Sequence, residues 1–578
     1  MFSKRATVAF LAVAIGLAAA GRALAADVLD AIPNTALAVI LVNRLEATSD
    51  KIEKLAVKVQ APSVSLLSLA RVQTGIHDGL DDKGTAALAW LPSEGQPLES
   101  PVSIVVLPVT DYAKFIAQLQ PENPKDKITQ VYVAGKAVLA CQRGDFAVLA
   151  GVEDEAALKD VLASVKSVGE DLSPLRTWLA EVDAAVVATP AAIRIASSQA
   201  NEKLSATIEL LEQQGGVPAA ANGLPALKII QKVLAAGGDE LQLAAIGIRA
   251  DEAGTVRLTS RLRLTSGGRW AAIAERIEGP SKSLLTGLPE GPFVLTAAIQ
   301  YSDPLRGLTN WFFSEDGRKL NPALDKLPAE QQTKLADLFG RITQQQESAK
   351  FWIGAPKADE PLFASAILIA KVEDTKKYFA QIDELGKLQV GAGENAPSIL
   401  SLGEVQHIQV DGQDAIDYVA SMKQIEAGQP APLAEPVREV LKKMLGSDEK
   451  IHTYMAAIDD HTVVSAYVSV DNLRRAIAAA RQGGASSGLA PQAAEIAALL
   501  PTGAQTAVLV QPAGITQWVQ ALTAVATDQK GPALEFPASP PIGLALKFSS
   551  AGVLGDAVIP GATLEAIGEF VAKERNKR

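Results

Sequence analysis

Six landmarks in residues 30–275 recur in the same order in residues 285–575, so the chain reads as a tandem duplication. This constrains the fold more than any single motif does, because each half must build the same set of elements. It also separates polar residues present at matched positions, which serve structure, from those present in one half only.

The first landmark is a Leu/Ile-Pro entry to an apolar strand, Ile32-Pro33 before Ala36–Val42 and Leu288-Pro289 before Phe293–Ile299. A Trp inside a short strand follows, Ala89-Trp90-Leu91 against Phe351-Trp352-Ile353, and then a Pro-Leu turn, Pro97-Leu98 against Pro361-Leu362. The third landmark aligns without gaps: Ile104–Leu107 with Val109-Thr110-Asp111 against Ile367–Ala370 with Val372-Glu373-Asp374. Each copy reads as a buried strand, an Asp helix cap and an amphipathic helix. Asp111 and Asp374 are therefore expected to accept first-turn N–H groups and not to act as acids.

Two strands ending in Gly come next, Val131–Gly135 and Ile408–Gly412. A hairpin and helix follow, with turns at Gly144-Asp145 and Asp459-Asp460 and caps at Asp154 and Ser469. The sixth landmark is a strand broken by proline, Val186–Thr189-Pro190 against Val508–Gln511-Pro512, and a closing hairpin turns at Ala253-Gly254 and Ala551-Gly552. Changes in spacing place an insert at Ser197–Glu240 in the first half. A second, at Gln413–Lys450, reads as a helical excursion.

The fold class expected is α+β, with two tandem pseudo-repeats, each a mainly antiparallel sheet with helices on one face. The first repeat spans 26–283 and the second 284–578, after a signal peptide at 1–25. Lys4-Arg5, the apolar stretch Ala6–Ala20 and Ala23-Leu24-Ala25 carry the signal reading. The apolar stretch is shorter than the ~20 residues of a spanning helix, so the mature chain is expected to be exported without a transmembrane anchor, to the periplasm or beyond. Loss of Lys4, Arg5 and Arg22 lowers the net charge from −11 to −14. An acidic chain repels nucleic acid and anionic lipid. With Cys141 as the only cysteine, no intrachain disulfide forms.

Single-copy features carry the functional candidates. His77, His407, His452 and His461 have no histidine counterpart in the other half. Pairing through Asp459-Asp460 sets His452 opposite Tyr467, ~20 Å along the ladder from His461, so the two share no metal. Gly484-Ala485-Ser486-Ser487-Gly488 matches the nucleophile-elbow pattern but follows a helix and reads as a loop. Arg143-Gly144-Asp145 reads as turn chemistry. The strand Val256–Leu264 alternates, with Val256, Leu258, Leu262 and Leu264 on one face and Arg257, Thr259, Arg261 and Arg263 on the other. With Arg249 it forms a stripe that either holds an anionic ligand or is the solvated face of a one-sided sheet.

Ile32-Pro33, Val109-Thr110-Asp111 and Phe115-Ile116-Ala117-Gln118-Leu119, together with the signal, resemble exported bacterial proteins built of domains of unknown function. That resemblance implies no activity and no catalytic residue. The expected role is non-enzymatic binding or scaffolding of an envelope or extracellular protein or glycan, without cofactor or metal. The alternative is an exported polysaccharide or peptide hydrolase acting through carboxylates.

Overall fold

The computed structural model describes residues 26–93, 101–213, 227–228, 231, 240–280, 284–289, 291–304, 306–307, 328–357, 360–387, 404–421, 435–446, 450–482, 491–527 and 534–576. The signal segment 1–25, the Pro97-Leu98 turn, the Gly484–Gly488 loop and much of both inserts lie outside these residues.

The fold is α+β, with 19 strands among the described residues in one antiparallel sheet. Nine strands precede residue 265: β1 Ala38–Val42, β2 Ala86–Leu91, β3 Val102–Pro108, β4 Ile128–Val133, β5 Lys136–Arg143, β6 Phe146–Ala150, β7 Ala184–Ala188, β8 Leu241–Ala250 and β9 Val256–Leu264. Ten follow: β10 Phe293–Gln300, β11 Gln346–Gly354, β12 Ala366–Val372, β13 Glu404–Val410, β14 Gln413–Ser421, β15 Lys450–Asp459, β16 Thr462–Tyr467, β17 Thr506–Val510, β18 Ile542–Ser549 and β19 Gly552–Ile559.

β9 and β19 pair at the middle of the sheet. Outward from that junction one side runs β9-β8-β7-β1-β2-β3-β6-β5-β4. The other runs β19-β18-β17-β10-β11-β12-β16-β15-β14-β13. The extra strand is β14, so the segment read as a helical excursion supplies a strand before its helix Glu435–Leu445. The same two-residue turn makes β4–β5 and β13–β14, with positive φ at Ala134 (52°) and Gly135 (74°), and at Asp411 (52°) and Gly412 (77°). β5 pairs with both β4 and β6, whereas β14 and β15 divide those two roles.

Helices lie on both faces over the outer strands, not on one face as expected. On the first face, Leu158, Val161, Trp178 and Leu179 pack on Val39, Val106 and Val187, and Leu473, Ile477 and Ile496 pack on Ile367, Val464 and Leu509. On the second, Phe115 and Leu67 cover Leu88, Val105 and Leu149, and Leu338, Tyr378 and Ile382 cover Ala370, Met455 and Val463. The physical cause is visible in β3, Val-Ser-Ile-Val-Val-Leu-Pro, whose nearly unbroken apolar run needs cover on both sides.

The Trp landmark is displaced by one residue. Ala89 pairs with Val39 and Trp352 with Thr296, equivalent rungs relative to β7 and β17. Trp352 is therefore a buried first-face residue, while half-buried Trp90 points to the second face, since a one-residue slip inverts the side-chain direction.

Candidate functional site

The arginines of β9 lie on the side opposite to that expected. Their face is the one helices cover, and Leu258 and Leu262 are the exposed residues. The cause is a partner strand. Thr259 faces Asp556 of β19, whose carboxylate is buried. Arg257 Nε donates to Asp556 Oδ1 and Oδ2 at 2.8 and 2.9 Å, and its Nη2 also meets Oδ2. This bond raises the Arg257 pKa further. Arg261 lies over the Trp178 ring, 5.7 Å from its centroid, where burial pushes its pKa down. Trp178 Nε1 donates to Thr259 Oγ1 at 3.0 Å. Arg263 Nε donates to Gln242 Oε1 at 3.1 Å, and Arg249 is exposed. The stripe thus divides into an ion pair, a ring stack, an amide contact and one solvated side chain. Arg263 also lines, with Arg194, Glu170 and Asp171, an open pocket of about 390 Å³.

The three buried aspartates among the described residues each have their own basic partner. Asp183 accepts from Arg44 Nη2 (2.7 Å) and Lys51 Nζ (2.8 Å), Asp556 from Arg257, and Asp417 lies 2.9 Å from His452 Nδ1. They stand at β7, β19 and β14, so no two form a pair of carboxylates across one site. His452 pairs with Asp417, inside the insert, and stacks on Tyr454. A bulge at Ile458 shifts the hairpin by one, so Thr453 and not His452 faces Tyr467, and the turn is Asp460-His461. His461 Nδ1 bonds Glu373 O at 2.7 Å, and His407 Nε2 lies 3.2 Å from Asp383. His77 N–H is bonded to Gln118. No group of three or more His, Cys, Asp or Glu among the described residues is placed to hold a metal ion.

The structural assignments at matched positions divide. Asp111 and Asp374 accept N–H groups of Lys114 and Lys377 at 3.0 Å each, which lowers both carboxyl pKa values. Ser469 caps through Asn472 N–H, whereas Asp154 makes no cap bond because a 3-10 turn, Val152–Asp154, precedes its helix. Arg143 turns back to Ser164 O (3.0 Å) and Gly144 takes φ 59°, as a hairpin tip requires. Cys141 is fully buried, and burial pushes its thiol up to about 11.

The second face at the centre of the sheet carries the least ordinary surface. Val186, Ile246, Ile248, Leu258, Leu262, Leu544 and Leu546 are each more than a third exposed, Ile246 the most at 58%. The registers join them into one patch. Val186 is beside Ile246, Ile248 beside Leu258, and Leu258 beside Ala557, which neighbours Leu544. Seven apolar side chains on one uncharged face reach the few hundred Å² that mark an interaction surface. The residue signal was present: Leu243–Ile248 and Ile542–Leu546 are apolar on both alternations, and Ile246, Ile248, Leu544 and Leu546 stay exposed on the second face.

About the junction the patch repeats itself. Ile246 and Leu544 neighbour Val186 and Val508 in the same way, and Ile248 and Leu546 follow them. Leu258 faces Ala557 and Ser260 faces Gly555, while Thr259 and Asp556 face each other. That is the contact pattern of a two-fold axis passing between Thr259 and Asp556. No helix of the described residues is long and apolar enough to cross a membrane. Compared with known families, curated proteins and solved structures, the chain matches no family model, no curated protein and no solved structure.

Proposed function

We propose that this chain is a tandemly duplicated, exported binding or scaffolding protein of the envelope or extracellular space, and that its contact surface is the apolar second face of β7, β8, β9, β19 and β18. The duplication is supported by the six ordered landmarks and by the strand order on either side of β9–β19. Export rests on the charged, apolar and small-residue pattern of residues 1–25. The resemblance to exported bacterial proteins of unknown function belongs to the same reading.

The observation that carries the role is the contiguous patch of Ile246, Ile248, Leu258, Leu544 and their neighbours, left in solvent where the outer strands are covered. Leaving it exposed forgoes about 25 cal/mol for each Å² that cover would remove from water. A partner supplies that cover. The separate pairing of Asp183, Asp417 and Asp556, each with its own partner, favours this reading over a hydrolase working through two carboxylates.

The test is capture from envelope extract on the immobilised mature protein, wild type beside Ile246→Glu/Leu546→Glu, with a broad hydrolase screen in parallel. A partner held by the wild type and lost from the double variant is expected. Turnover by wild type and variant alike, with no patch-dependent partner, would overturn the proposal.

A further inference from the structure

We infer that the occupant of this apolar face is a second copy of the same chain, stacked sheet against sheet. The inference rests on the binding reading above and names its partner.

Three observations select that occupant. The first is the filled centre of the patch. Gly555 leaves no furrow, because Ser260 Oγ already fills the space its side chain would take and Leu546 lies 3.5 Å from that point. A small ligand needs a concavity that buries most of its surface. An apolar strand face without such a concavity instead packs on another sheet, ~10 Å away.

The second is self-similarity. The axis between Thr259 and Asp556 carries Ile246 and Ile248 onto the positions of Leu544 and Leu546. A second copy therefore meets this surface through two equivalent sets of contacts, and each favourable contact is made twice. The third is area. The seven exposed side chains present on the order of 500 Å², and the partly buried Val508, Phe548, Val553 and Ile559 beside them extend it towards the ~800 Å² per partner of a stable interface. No charged side chain of β8, β9, β18 or β19 points from this face inside the patch; Arg257, Arg261 and Lys547 point to the other.

Charge sets the salt response. Two copies at −11 or below repel at long range while the contact itself is apolar. Raising NaCl from 20 to 500 mM should therefore tighten self-association several-fold, where an ionic contact would weaken.

The experiment is sedimentation equilibrium of the mature chain across that salt range, with half-association expected below about 10 µM. Ile246→Glu/Leu544→Glu should weaken it at least about 100-fold, because each copy would bury unpaired carboxylates. Val165→Glu, exposed just after the helix Glu155–Ala163 on the opposite, first face, should leave it unchanged. Near the centre, Ser260→Cys should form an intermolecular disulfide under mild oxidation and Val165→Cys should not, independently of any folding defect in the charged variant. A wild type that stays monomeric at 100 µM in 500 mM NaCl overturns the inference, as does a dimer undiminished in the double variant. If that monomer binds phosphatidylcholine vesicles or phenyl resin and the double variant does not, the apolar contact face stands with another occupant. If the double variant behaves as wild type in every assay, both readings fall.

Discussion

Asp183 and Gln505 hold the same post in the two halves with different chemistry. Each immediately precedes a strand two places from the junction, β7 or β17, and is almost fully buried. Their carbonyls accept Asn43 N–H and Gln300 N–H at 2.8 Å. Their N–H groups donate to Ile248 O and Leu546 O. Their side-chain oxygens accept Ala250 N–H and Phe548 N–H, again at 2.8 Å. The sheet needs an acceptor there; the charge is additional. In the first half Arg44 and Lys51, at the helix Leu45–Lys58, meet that charge, while Gln505 donates its Nε2 to Ile277 O. The difference teaches that a buried carboxylate here marks a local alternative to an amide, and is no sign of catalysis.

The strongest way to break the likeness of the halves is at the buried ion pair that joins them, Arg257–Asp556; a second, Lys58–Glu565, lies nearer the surface. Arg257→Ala leaves the Asp556 side chain, 2% exposed, without its cation and should cost about 3–5 kcal/mol. Asp556→Ala leaves Arg257, 41% exposed, free to turn to water and should cost clearly less. Urea unfolding of both variants measures the order; equal losses would mean that the pair does not hold the junction. Exchanging the chemistry at the matched post comes next. Gln505→Glu buries a charge where the described partners are backbone groups of Ile277 and Phe548, and should cost about 2–4 kcal/mol. Asp183→Asn keeps the acceptor and leaves two partly exposed cations, for about 1–2 kcal/mol. If the second substitution proves the costlier, charge and not the acceptor is what this post requires.

A milder comparison is Cys141 with Ala456, both fully buried and both opposite a valine of the next strand, Val148 or Val464. Cys141→Ala should therefore cost only about 1 kcal/mol. In the native protein at pH 8 the thiol, pushed up to about 11, should stay unmodified by a disulfide reagent over hours and react at once in denaturant. Rapid native labelling would contradict both its burial and its role as filler.

Local chemistry was legible along the chain and non-local pairing was not. The caps at Asp111 and Asp374 and the hairpin turn at Gly144-Asp145 each depend on a few adjacent residues, so spacing reveals them. A bulge does not announce itself. Ile458 shifts the β15–β16 register by one, and the Trp landmark slips by one residue, each inverting the faces inferred from alternation. The β14 strand hid in a polar insert because Gln-Asp-Ala-Ile-Asp-Tyr places its acids among apolar residues, with Asp417 buried only because His452 meets it. The direction of the β9 arginines was undecidable locally. Two apolar and cationic alternations were equally regular, and Asp556, nearly three hundred residues away, chose between them.

The finest comparison pits the two caps against each other. Asp111 and Asp374 make the same bond, to the N–H three residues on, at the same 3.0 Å, and in both the largest effect on the carboxyl is that backbone bond, which lowers its pKa. A carboxyl whose folded pKa is depressed stabilises the fold above its unfolded pKa, ~3.9, and loses that contribution as pH falls through the lower folded value. Asp111→Asn and Asp374→Asn keep an acceptor and remove the titration. Each should leave stability at pH 7 slightly reduced and converge with the wild type towards pH 2, by equal amounts in the two halves. Both sites are open to solvent, so the effect is small and needs paired thermal melts across pH 2–7. A larger effect at one cap would show that the helices Tyr112–Ala117 and Thr375–Lys387, alike in sequence position, bear unequal weight in holding the second face of the sheet covered.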